Sequence, residues 1–158
     1  MCLSVYIGSN NALREPENLC DGGLGLEPAG WKPEPLAAYH HVYRLGGRRG
    51  DTLGCTCLMA ESVDWTRDAP CPAPDPLADI PDCPFAQLRH YLEAALQGNP
   101  HAGMVCDEEG GLVHEASEED YEPVIVTPSL IRPLALLFHD GIGPWAMRRF
   151  TVVHDPVA

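Results

Sequence analysis

Asp82-Cys83-Pro84-Phe85-Ala86-Gln87-Leu88-Arg89-His90-Tyr91-Leu92-Glu93-Ala94-Ala95-Leu96-Gln97-Gly98-Asn99-Pro100 is the stretch on which the fold turns. Phe85, Leu88, Leu92, Ala95 and Leu96 recur at helical spacing and form one apolar stripe. Gln87, Arg89, His90, Glu93 and Gln97 mark the opposite side, which places His90 in solvent. Asp82 suits the N-cap, and Pro84 suits the first turn, where its missing N–H costs nothing. Gly98-Asn99-Pro100 stops the helix. One main helix is therefore expected over about 84–97.

Strand signals surround this helix. Cys2-Leu3-Ser4-Val5-Tyr6-Ile7 is rich in β-branched and aromatic residues and ends at Gly8. Tyr39-His40-His41-Val42-Tyr43 reads as a strand with His40 and His41 on opposite sides. The polar turn 46–51 then gives a hairpin into a strand at 55–61. Ala102 to Asp107 reads as a strand after the helix, closed by a turn at 108–111 into Leu112-Val113-His114. Val124-Ile125-Val126 and Arg149-Phe150-Thr151-Val152-Val153 read as two more strands, with a helical turn from Thr127-Pro128. Residues 9–36 and 63–83 are crowded with Pro and Gly and read as long loops. Trp31 and Leu26 are the side chains that could pin the first loop to the core. The expected fold is α+β: an antiparallel or mixed sheet with one main helix on a face, in a single domain over 1–158.

Gly54-Cys55-Thr56-Cys57 is the stretch richest in chemistry. Side chains alternate along a strand, so Cys55 and Cys57 share a face. Their Cα atoms would lie roughly 6.5–7 Å apart, at or beyond the usual reach of a disulfide. Two thiolates so placed can converge on one soft cation through bonds of about 2.3 Å.

Composition limits the partners. The chain has 158 residues, 45% of them apolar, and a formal net charge of −13 with Lys32 its one lysine. That charge argues against nucleic acid or an anionic membrane, and suits a basic protein partner or a cationic small molecule. Apolar runs fall well short of the roughly 20 residues of a membrane span. Met1 to Ile7 lacks the positive flank of a signal peptide, so a cytoplasmic, thiol-reducing compartment is expected. Seven cysteines cannot all pair within one chain.

Three short motifs carry a resemblance: the start Met1-Cys2-Leu3, the stretch His41-Val42-Tyr43-Arg44-Leu45-Gly46, and Gly54-Cys55-Thr56-Cys57. With Val105-Cys106-Asp107 and the ending Arg149-Phe150-Thr151-Val152-Val153, they resemble a family of small bacterial proteins of uncharacterised activity. The chain departs from that pattern by a longer hairpin turn, by Thr56 where the family has Gly, and by lacking Trp beside Cys106. The resemblance implies no activity. It singles out Cys2, His41, Cys55, Cys57 and Cys106.

These five are soft or borderline metal ligands on expected strands. Four thiolates, or three and His41, suffice for a closed tetrahedral site. A soft transition metal is the expected ligand, with zinc the default and iron or copper(I) the alternatives. Cys20, Cys71 and Cys83 lie in loops or beside proline and are expected bystanders. Two other readings stand beside this one. The chain could be a thiol enzyme, either an N-terminal-nucleophile amidohydrolase through Cys2 or a peroxide-reactive cysteine near Arg48 or Arg49. Or it could be an acidic binding module whose cysteines are buried small hydrophobes.

Overall fold

The computed structural model describes residues 2–16, 19, 23–54, 84–109, 118–130 and 148–157. Their strands are β1 (Cys2–Ser9), β2 (Leu24–Pro28), β3 (His41–Arg49), β4 (Thr52–Leu53), β5 (His101–Glu109), β6 (Glu122–Val126) and β7 (Arg148–Val153). The order across the sheet is β2-β3-β1-β5-β7-β6, with β4 pairing only with β3. Adjacent strands are antiparallel except β6 and β7, which are parallel, so the sheet is mixed. Among the described residues one α-helix, α1 (Pro84–Leu96), completes the expected α+β fold. Among the described residues, no helix is long and apolar enough to cross a membrane.

Strand alternation sorts the core into two clusters. Val5 and Ile7 of β1 join Leu45, Met104 and Phe150 beneath Leu88, Leu92 and Ala95 of α1. Tyr6, between Val5 and Ile7 in sequence, packs on the opposite face with Leu36, Tyr39, Val42 and Val105. Complete burial of each leucine under α1 contributes about 1.5–3 kcal/mol, so among the described residues this side dominates the apolar stabilisation.

In helix α1, Leu88, Leu92, Ala95 and Leu96 of the expected stripe are buried, and the helix stops where expected. Gly98 takes φ +73°, the left-handed conformation that ends many helices. Asn99 N–H donates to Leu96 O at 2.9 Å. Asn11 Nδ2 donates to Ala94 O and Gln97 O at 3.0 and 2.8 Å, partnering carbonyls that the helix end leaves open. His90 is exposed, as expected. Gln87 departs from expectation: it is buried, and its Oε1 accepts from Leu24 N–H at 2.6 Å. Tyr91 is buried beside it and donates its hydroxyl to Leu24 O at 2.7 Å. Burial first, then the Glu15 charge, raises the Tyr91 pKa against the opposing pull of Arg48, which keeps the hydroxyl a donor.

Those two side chains account for an element that periodicity missed. Residues 9–36 hold β2, not one long loop. The turn-formers Gly25 and Pro28 are tolerated because β2 lies at the end of the sheet order, where one side of the strand needs no ladder partner. Leu26 is buried, and Trp31 lies 5.5 Å from the Tyr6 ring, so both pin this segment as expected. Strands β3 and β5 are longer than read from the sequence. Gly46 to Arg49 and Glu108-Glu109 belong to them rather than to turns, because each finds a ladder partner. The Asp82 cap, the expected loop 63–83, the strand at 55–61 and the segment Leu112-Val113-His114 lie outside the described residues.

Candidate thiol site at a fork in the sheet

Strand β3 changes partner along its length. Its ladder with β1 runs from Ser9–His41 to Val5–Leu45. Beyond that, Arg48 and Arg49 pair with Leu53 and Thr52 of β4. The N-terminal end of β1 and the chain leaving β4 thus diverge from one short stretch of β3. Cys2 lies on one arm of this fork. Gly54, the residue before Cys55, ends the described part of the other.

Gly54 is held from three directions. Its N–H donates to Gly47 O at 2.8 Å. Arg44 Nη1 donates to Gly54 O at 2.8 Å, and Nη2 to Leu53 O at 3.2 Å. Gly46 lets the chain cross close above it, since a Cβ there would collide with the Gly54 carbonyl oxygen. Arg44 is itself fixed by Glu27, whose Oε1 accepts from Nε at 2.9 Å and from Nη2 at 2.7 Å. It therefore acts as a clamp that sets where the Cys55-Thr56-Cys57 segment begins. The sequence reading assigned positive charge near the thiols to Arg48 or Arg49. The structure bonds Arg44 to the Gly54 carbonyl and pairs Arg48 with Glu15, while the thiols of Cys55 and Cys57 lie outside the described residues. A salt-bridged arginine inside a strand carries no local sequence signal, so register alone reveals it.

The other candidates separate. Cys106 is 1% exposed and sits in the apolar cluster under α1. It is in register with Val5, whereas Cys2 is in register with Glu109. Those rows are an odd number of pairs apart, which places the two positions on opposite faces of the pleat. His41 lies at the far end of the β1–β3 ladder, opposite Ser9. Ser9 is seven residues along β1 from Cys2, about 24 Å at the usual antiparallel rise. The ladder therefore gathers neither Cys106 nor His41 with Cys2. Cys55, Cys57, Cys20, Cys71 and Cys83 lie outside the described residues. Among the described residues, no group of three or more His, Cys, Asp or Glu is poised around one point.

His41 instead borders a hollow of about 210 Å³. Its ring stacks on Tyr43 at 6.1 Å between centroids and 23° between planes. His40 lines the same hollow, contrary to the expected opposite facing, because it precedes β3 and strand alternation does not govern it. Lys32 completes the polar side, and its Nζ donates to Tyr39 O at 2.7 Å.

Comparison of the chain with protein-family models, with curated proteins and with solved structures returns no match.

Proposed function

We propose that the chain binds one soft transition metal, zinc by default, through Cys55, Cys57 and Cys2 at the fork. The observation that carries the reading is the clamped Gly54: Arg44, Gly46 and Gly47 deliver the start of the Cys-Thr-Cys segment beside the stretch of β3 from which the Cys2 end of β1 departs. Three thiolates leave the fourth tetrahedral position to water or a small ligand, and zinc tolerates that arrangement. Iron and copper(I) accept the same donors. Cys106 serves the core in this reading, and His41 serves the hollow at the other end of the ladder.

Metal analysis of the purified chain, with a thiol count before and after chelation, tests it. About one metal per chain and three chelator-released thiols are expected. Cys55→Ser lowers metal content, whereas Cys71→Ser and Cys106→Ser retain it. Acidification releases the ion, because each ligand must be deprotonated to bind. A metal-free protein whose Cys2, Cys55 and Cys57 react freely overturns the reading.

One observation favours a second reading. The Arg44 guanidinium, bonded to the carbonyl just before Cys55, favours a thiolate there with or without metal. A metal-free chain whose Cys55 alkylates fast, and slows on Arg44→Gln, would be a reactive-thiol protein.

A further inference from the structure

We propose that the hollow at the start of β3 binds a small organic anion: a carboxylate or phosphate head group on a compact apolar body. The case begins with charge. The chain has 23 acidic and 10 basic residues and a net charge of −13. Yet its one lysine, Lys32, and two of its histidines, His40 and His41, line this hollow, and among the described residues no carboxylate does. A local reversal of sign inside an acidic surface concentrates anions.

The donors are placed rather than loose. An ammonium has three donors, and the bond from Lys32 to Tyr39 O uses one while holding the group at the rim. The stack on Tyr43 orients the His41 imidazole. His40 N–H donates to Asn10 Oδ1 at 3.2 Å, which fixes the approach to the strand. The rest of the lining, Pro28, Ala29, Val42 and Tyr43, forms a largely apolar wall. Ala29 N–H donates to Val42 O at 2.8 Å, so this wall is continuous with the sheet. A volume of 210 Å³ lies below the roughly 300–1,000 Å³ of drug-sized sites, which restricts the body to about one ring. The polar side would hold the oxyanion, and the wall would cover the ring.

The test is a titration of the full chain with phenyl phosphate, benzoate and inorganic phosphate, read on the histidine ring resonances by NMR. Saturable shifts are expected at His40 and His41 and not at His90 or His154. The two aromatic anions should bind more tightly than inorganic phosphate. Lys32→Gln should weaken binding about tenfold, the loss of one hydrogen bond from a charged donor. His41→Gln, at an exposed position, provides a second variant should Lys32→Gln disturb folding. Arg89→Gln, on α1 in an ion pair with Glu93, should change nothing. Equal shifts at all four histidines, or unaltered affinity in both hollow variants, would overturn the site. Inorganic phosphate binding as tightly as phenyl phosphate would overturn the organic class. Nickel or zinc shifting His40 and His41 at lower concentration than any anion would replace the anion by a metal.

Discussion

The two faces of the sheet are built on different principles. Under α1 lies a continuous apolar layer, from Leu24 and Leu45 through Val5 and Ile7 to Met104 and Phe150. Across the sheet the cover is a 3-10 turn (Glu34–Leu36), Tyr39 and Trp31 over a smaller cluster, with the Arg44–Glu27 pair bordering it. Tyr39 comes close enough there that a Cβ on Gly8 or Gly103 would meet its ring at 2.5 or 2.6 Å. The helix side thus holds the fold by burial. Among the described residues, the opposite side uses close backbone approaches and clamps, which fix positions while burying less apolar surface.

The largest expected effect separates the faces directly. Leu92→Ala, fully buried under α1, should destabilise by about 2–5 kcal/mol in denaturant melts. Val42→Ala on the other face should cost roughly 1–2 kcal/mol. Equal costs would remove the distinction. Gly46→Ala comes next. Its Cβ would strike backbone, which cannot rotate away, so about 1–3 kcal/mol is expected together with loss of metal. Retained metal in a folded Gly46→Ala protein would show that the fork does not position the thiols.

Tyr91→Phe should cost about 1 kcal/mol by removing the donor to Leu24 O. It should also change the alkaline limb. The folded-state pKa is raised from the ordinary 10.0, so the stabilisation is complete below that value and lost as pH climbs above it. Denaturant midpoints for Tyr91→Phe should therefore fall less steeply above pH 10 than those of the parent. A parallel slope would assign the alkaline loss to other groups.

The smallest effect lies at the end of β7. Burial alone would raise Asp155, but hydrogen bonds from Ser129 and Thr127, with the Arg89 charge, outweigh it and lower its pKa. Its contribution is present above the ordinary 3.8 and lost as pH falls through the lowered value. Asp155→Asn should lower neutral stability slightly and flatten the acid limb below about pH 4, where the parent has already lost this contribution. An unchanged acid limb would count against the tether.

Much of the fold was legible because its signals are local. Helix α1 announces itself by its stripe and its Gly98 stop, and β1 and β7 by β-branched and aromatic runs. Strand β2 was not legible, since Gly25 and Pro28 read as turn-formers and its pairing with β3 is long-range. Gln87 misled for a related reason: a polar side chain on the flank of the stripe is drawn inward only once Leu24 N–H lies beside it. Of the expected site residues, Cys55 and Cys57 lie outside the described residues, and the grouping of the other three was not legible. Cys2, Cys106 and His41 all sit on strands, as read, but the rows of the ladder divide them.

Periodicity and capping therefore determined by themselves that one helix would cover a sheet of strands, because both act within a few residues of chain. Which side chains meet was left to register. A shift of one residue in a strand moves a side chain to the other face, and no local preference selects among the registers. Tertiary packing made that choice by burying Val5 and Leu45 in one row with Cys106. The same choice left the Cys2 end of β1 diverging from β4 and set His41 beside Lys32 at the far end.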